Sequence, residues 1–403
     1  MPRSHIPPSG KLRASDRLNV VDTSGLADRL QPALSGDRWS TLRPLVARMD
    51  GVVPAAGLAQ PHSGALSGGW QHASWARRAD GGDLGPAGGG SRDRGPRFDE
   101  AVPANGYAWW YVDAISDDGQ HGLTIIAFIG SVFSPYYAAA RRRGPADPHN
   151  HCALNVALYG RRGKHWALTE RRKTSLVRSK RHLSIGESSV SWSGDIFTID
   201  ISELAIPRFT RLQGRVRLYP SALTDCDIAL DANGHHRWRP IAPRARVDVQ
   251  MTNPALRWCG SGYFDSNAGS VALEDDFKTW TWSRADTEGG AAVLYDVVRR
   301  DGSRLPVALR FDGEGSYENF APPDEVPLPA TGWRIGRRTR SEDVGGTTVL
   351  RTLEDTPFYA RSAIASHLLG ERRVSMHESL SLDRFRTPWV QAMLPFRMPR
   401  ARR

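Results

Sequence analysis

The sequence predicts an all-β protein: two tandem antiparallel β-barrel or sandwich domains behind a glycine-rich N-terminal extension. Three observations predict it. Short runs of β-branched and aromatic residues recur, each bounded by turn residues such as Asp117–Gly119, Gly160–Gly163 and Asp301–Gly302. Helical periodicity is scarce, surfacing weakly at 134–142 and 389–393. The strand-bearing part, about 305 of 403 residues, is too long for one small barrel.

Residues 1–95 read as a disordered or low-complexity extension. Twelve glycines lie between Gly51 and Gly95 with few apolar anchors, too little surface to offset the entropy of ordering. A helix is expected there only near 40–49. From Phe98 the pattern changes. Tyr107–Ile115 and Leu123–Ile129 read as strands around the turn at Asp117–Gly119. Ala153–Tyr159 pairs with His165–Thr169, and Val190–Trp192 with Ile196–Ile201. Leu294–Arg299 pairs with Leu305–Phe311 around Asp301–Gly302. Further strands are expected at 215–219, 246–251, 256–265, 279–283, 347–353 and 374–382. The domains are placed at 96–235 and 236–403.

The net charge is +11, and only five of the 54 basic residues are lysine. Such a chain should approach phosphates, of nucleic acid or of an anionic membrane face. Basic clusters at Arg141–Arg143, Arg161–Lys164, Arg171–Lys173, Arg178–Arg181 and Arg337–Arg340 read mostly as solvated faces, the rest as a membrane-facing rim. No recognition helix, zinc finger or RNP-type motif accompanies the charge, so nucleic acid is not the expected partner. Cys152, Cys226 and Cys259 are too few and too widely spaced for a disulfide framework and read as buried free thiols. No apolar run approaches the ~18 residues of a membrane span. The N-terminus lacks the apolar core of a secretory signal. A cytoplasmic protein that touches a membrane without crossing it is expected.

Two pairs of residues could carry chemistry. Tyr263 and Asp265 end a strand and share a face, because residues two apart on a strand point the same way. His236 and Trp238 repeat the spacing. With 246–251 as an intervening strand, an antiparallel meander would bring the two pairs within two strand spacings, ~10 Å. His149 and His151 suggest a metal only weakly, with no His-Glu-x-x-His and no Cys/His cluster beside them, and a structural turn after Pro148 is preferred. No serine elbow and no glycine-rich phosphate loop occurs. Neither a metal nor an organic cofactor is expected.

Five segments now stand together: Phe98–Tyr107, Gly130–Tyr137, Pro148–Gly160, Trp258–Gly269 and Met376–Leu380. With them the chain resembles the carotenoid 1,2-hydratase (hydroxyneurosporene synthase) family from Phe98 to Pro399, about three quarters of its length. The resemblance implies lipocalin-like barrels in tandem and hydration of the terminal double bond of acyclic carotenoids such as neurosporene and lycopene. It further implies no cofactor and peripheral association with the cytoplasmic face of a photosynthetic bacterium's inner membrane. It implicates a His and Trp two apart and a Tyr and Asp two apart in catalysis, which fall here on His236, Trp238, Tyr263 and Asp265.

An isolated trisubstituted alkene has no polar handle, so it must be protonated before water can add. Asp265 is the expected acid. A carboxyl pKa raised from ~3.9 to ~7 costs roughly 4 kcal/mol, within what an oily cavity imposes. Trp238 and Tyr263 would face the cation, and a neutral His236 would hold the water or take its proton. The rival readings are a lipid carrier without catalysis, a nucleic-acid-binding β protein, and another lipid enzyme on the same scaffold.

Overall fold

The computed structural model describes residues 95–161 and 163–401. The expected extension and its helix lie outside the described residues, Gly95 apart. The first sheet holds twelve antiparallel strands. These are β1 (Tyr107–Ser116), β2 (Gly122–Ile129), β3 (Ala153–Gly160), β4 (Gly163–Leu168), β5 (Leu176–Ser179) and β6 (His182–Ile185). They continue with β7 (Ser188–Ser193), β8 (Ile196–Ala205), β9 (Thr210–Pro220), β10 (Ile228–Ala229), β11 (His236–Asn253) and β12 (Leu256–Gly269). The order is β4-β3-β2-β1-β12-β11-β9-β8-β7-β6-β5, with β10 on the end of β11. The sheet curls, and the Ile206 N–H donates to the Trp166 carbonyl at 2.9 Å, tying the end of β8 to β4.

The second sheet is built from β13 (Phe277–Thr287), β14 (Gly290–Arg299), β15 (Arg304–Phe311), β16 (Tyr317–Asn319), β19 (Thr348–Asp355), β20 (Tyr359–Leu368) and β21 (Glu371–Ser381). Between β16 and β19 a separate ribbon forms from β17 (Glu325–Leu328) and β18 (Arg337–Arg340). The sequence reading divided the chain between residues 235 and 236. In the structure the sheet changes between Gly269 and Phe277, and β11 and β12 both belong to the first sheet. Two helices stand out: α1 (Pro135–Arg141), capped by Ser134 Oγ accepting from the N–H groups of Tyr136 and Tyr137, and α2 (Pro388–Arg397). Among the described residues no helix is long and apolar enough to cross a membrane.

The alternation of β1 explains how the sheets pack. Trp110, Val112 and Ala114 enter the core enclosed by the first sheet. Tyr107, Trp109 and Tyr111 point the other way and meet Trp280, Trp282 and Tyr295 of the second sheet. Sheet 1 is thus covered on both faces, which is why β1 is buried along nearly its whole length rather than at every second residue. Close strand approach demands glycine at 260, where a Cβ would lie 2.1 Å from the Ile115 carbonyl oxygen. That is what the Gly260-Ser-Gly262 segment serves, in place of a nucleophile elbow.

Some expectations need correction. The strands read at 236–238 and 246–251 are one continuous strand, β11. Pro240 and Pro243 suggest a break, yet register shifts at 240–242 and 242–245 absorb them as bulges. The pairs at 236/238 and 263/265 therefore sit on adjacent strands, with no strand between. The basic cluster at Arg337–Arg340 is solvated only at Arg338: Arg337 is buried against Ser362 Oγ, Thr352 Oγ1 and the Pro329 carbonyl, and Arg340 pairs with Asp296. Cys152 and Cys226 are buried free thiols, but Cys259 is exposed.

Candidate active site

Asp265 lies at the contact between the two sheets, only 4% exposed. Its Oδ2 accepts two hydrogen bonds, from Trp238 Nε1 at 2.9 Å and from the Tyr263 hydroxyl at 2.8 Å. Its Oδ1 is buried with no hydrogen-bond partner. Trp238 comes from β11 and faces Asn267, two residues beyond Asp265 on β12, so the indole reaches back to the carboxyl. Burial pushes the Asp265 pKa up to about 8, against the pull of the Trp238 and Tyr263 donors, with the negative charges of Glu378 and Asp113 adding to the rise. With Oδ2 occupied as a double acceptor, the proton of the neutral acid belongs on Oδ1.

Asp265 lines a cavity of about 120 Å³ between the sheets. Its apolar walls include Trp109, Phe128, Trp282 and Tyr295, and Leu394 and Met398 close it at the α2 end. Trp238 and Tyr263 are themselves fully buried and stand behind the carboxyl rather than in the wall. Trp238 packs on Tyr295 with ring centroids 5.2 Å apart. The rings presented to the cavity beside Asp265 are Tyr111, Trp282 and Tyr295.

His236 sits elsewhere. It pairs with Gly269, four residues from Asp265 along β12, roughly 13 Å at the rise of a strand. Burial lowers its pKa more than Asp276 and Asp231 raise it, so the ring is neutral at pH 7. Nε2 lies 3.0 Å from Asp276 Oδ2 and Nδ1 lies 2.8 Å from the Tyr107 hydroxyl. Against a carboxylate Nε2 must donate, so Nδ1 accepts from Tyr107. Gly269 makes room for this contact, since a Cβ there would come 2.4 Å from the Tyr107 ring and 2.8 Å from His236 Nδ1. The expected pairing of His236 with Asp265 does not form, and His236 does not line the Asp265 cavity.

The second sheet supplies a group that the sequence reading did not single out. Glu378 of β21 lines the same cavity. Its Oε1 accepts from the Tyr111 hydroxyl at 2.8 Å and from Arg361 Nε and Nη2 at 2.9 and 2.7 Å. The signal was present: Met376, Glu378 and Leu380 share one strand face, a carboxylate set between two apolar residues. Nearby, Asp113 of β1 and Arg284 of β13 form a buried ion pair, Nη2 to Oδ1 at 2.5 Å, that links the sheets.

The candidate metal ligands have other partners. Residues 148–150 form a 3₁₀ turn after all, with His149 on Asp147 and His151 on Glu170, so the two imidazoles do not converge. Asp231, His235 and Asp276 bring ligand atoms within 4.8 Å of one another. These atoms already bond to each other and to the backbone N–H groups of Asn233 and His235.

Residues 125–403 match the family model described as Carotenoid hydratase CrtC. The chain belongs to this carotenoid hydratase family. Among its relatives, the acyclic carotenoid 1,2-hydratase of Thiocapsa roseopersicina is 54% identical over 375 residues, 93% of either chain. The protein of the same description from Rubrivivax gelatinosus is 49% identical over 397 residues, 97% of either chain. That of Cereibacter sphaeroides is 40% identical over 277 residues, 68% of this chain and 98% of its own. The Asp265 cavity, with Asp265 itself, Tyr111, Trp282 and Glu378, falls mostly within the part matched by the carotenoid hydratase model, Tyr111 preceding it.

Proposed function

We propose that this chain adds water across the terminal C1–C2 double bond of an acyclic carotenoid, such as neurosporene or lycopene, with Asp265 as the acid. One observation carries the reading: a buried carboxyl whose Oδ1 has no partner and whose pKa is pushed up to about 8 borders a largely apolar cavity. At pH 7 such a group is mostly neutral and holds a transferable proton.

The Asp265 proton goes to C2, the π electrons form the new C2–H bond, and a tertiary cation remains at C1. Tyr111, Trp282 and Tyr295 turn aromatic surface toward that charge, each ring contributing ~1–2 kcal/mol in a desolvated site. Water then forms the C1–O bond. The reaction is redox-neutral, so it calls on no electron carrier. Trp238 and Tyr263 act as positioning residues, because both hold Oδ2 and leave Oδ1 toward the alkene. A cavity of about 120 Å³ suits the end of an isoprenoid chain rather than its full length.

The substrate is membrane-borne, and peripheral docking on an anionic surface belongs to the same proposal. Arg143, Arg172 and Arg400 share one surface cleft. Trp389, 37% exposed, lies on the helix whose Leu394, with Met398 just beyond its end, lines the cavity.

The test is incubation of the pure protein with lycopene in ¹⁸O-labelled water. A tertiary alcohol carrying the label is expected, and Asp265→Asn should form none while still binding carotenoid. Carotenoid binding without any labelled alcohol would instead favour a carrier.

A further inference from the structure

We propose that Glu378 is the base of this site and takes the proton that the adding water must lose. The proposal rests on the acid reading of Asp265. Once water has bonded to C1 it is an oxonium, and its O–H bond must break before a stable alcohol leaves. The group expected for this from the sequence, His236, is committed to Asp276 and Tyr107 outside the cavity. Glu378 is inside it.

The geometry suits the task. Asp265 reaches the cavity from β12 of the first sheet and Glu378 from β21 of the second. Tyr111 of β1 is the register partner of Asp265, Trp282 of β13 is that of Glu378, and Tyr263 packs against both rings from behind the acid. Tyr111 lies 6.2 Å from Tyr263 and 5.4 Å from Trp282, and Tyr263 lies 5.1 Å from Trp282, centroid to centroid. The hydroxyl of Tyr263 holds the acid and that of Tyr111 holds the base. Arg361, whose side chain is 4% exposed, supplies the counter-charge of the Glu378 carboxylate. All three hydrogen bonds from Tyr111 and Arg361 end on Oε1; the Tyr359 hydroxyl also approaches this carboxyl, and the water would compete with it for Oε2. Proton donor and proton acceptor thus stand on opposite sheets, with an aromatic wall beside the carbon that carries the charge.

The steps balance. Asp265 loses one proton to C2, the C1=C2 π pair becomes the C2–H bond, and a water lone pair forms C1–O. The oxonium O–H pair stays on oxygen while its proton moves to Glu378. Transfer of one proton from Glu378 back to Asp265 resets the site, and no net proton is consumed.

The test is Glu378→Gln, with Asp265→Asn beside it, each incubated with lycopene in D₂O. A general base contributes about 10²–10⁴-fold, so hydration by Glu378→Gln should fall at least a hundredfold. Its acid is intact, so deuterium should still enter the recovered alkene or its double-bond isomer as the cation forms and reverts. Asp265→Asn should lose both hydration and exchange. Exchange persisting in Asp265→Asn would end the acid reading, whatever Glu378→Gln does. Hydration by Glu378→Gln within threefold of wild type would overturn the base proposal. So would loss of exchange together with hydration while carotenoid still binds, since Glu378 would then act before the cation exists. Should Glu378→Gln fail to fold, Glu378→Asp keeps the charge facing Arg361 and draws the carboxylate back by one methylene. It should exchange normally and hydrate at least tenfold more slowly, and wild-type hydration there would equally overturn the proposal.

Discussion

Replacing Asp265 with Asn should change how stability depends on pH, by an amount the structure sets. In the unfolded chain the carboxyl titrates near its ordinary 3.8, and in the fold it is pushed up to about 8. Between those values the unfolded chain has released this proton and the folded one has not. Stability from this group is therefore complete below about pH 4 and is lost as pH rises toward 8. Each unit across that window removes about 1.4 kcal/mol. From pH 5 to pH 7 the wild type should lose about 3 kcal/mol that Asp265→Asn does not lose. Urea unfolding of both proteins at pH 5, 6 and 7 measures the difference, and subtracting one from the other removes the shared contributions of other groups. Parallel curves would mean that Asp265 ionises in the fold as it does in water, and the reasoning from burial would fail.

Other substitutions probe the supports. Tyr263→Phe removes a donor that favours the ionised carboxyl, so the Asp265 pKa should rise and the alkaline limb of kcat/KM should move up by about one unit; a limb that stays or moves down contradicts the assigned hydrogen bond. Trp238→Phe keeps a ring against Tyr295 but loses the N–H, and should retain more activity and a higher Tm than Trp238→Ala, which adds a cavity costing about 3–5 kcal/mol. Asp113→Ala leaves the buried Arg284 guanidinium with only its longer contacts to Asp286 and Ser261 and should cost about 3 kcal/mol in urea unfolding, a loss under 1 kcal/mol counting against the pair as a link between sheets. Tyr107→Phe leaves His236 Nδ1 buried and unpaired and should cost about 1–3 kcal/mol by the same measurement; no change would place water or another donor there.

Much of this was legible along the chain because its causes are local. The turns at Asp117–Gly119 and Asp301–Gly302 punctuate the strands where expected, and the two-residue period alone put Tyr263 and Asp265 on one face. What was missed depends on contacts across sequence distance. Pro240 and Pro243 concealed the continuity of β11, because whether a proline breaks a strand or sits in a bulge is decided by the partner strand. The edge strand β5 and its connection to β6 carry Arg178, Lys180 and Arg181, charge that reads as a loop and serves at a sheet edge. β20 escaped because Ser362 and Ser366 face buried polar partners, Arg337 and Ser375, that no local pattern reveals. Glu378 lies 113 positions beyond Asp265 by its number, and only the packing of one sheet on the other brings it to the same cavity. His236 shows the converse, since spacing paired it with Asp265 while the register carried it four residues away.

Infrared difference spectra of wild type against Asp265→Asn read the protonation of this one carboxyl. A carboxylic-acid carbonyl band should be present at pH 6 in the wild type, be absent from the variant, and fade with a midpoint near pH 8, the value to which burial pushes Asp265. A carboxylate signature at pH 6, or a midpoint near 4, would leave the site without a proton to give.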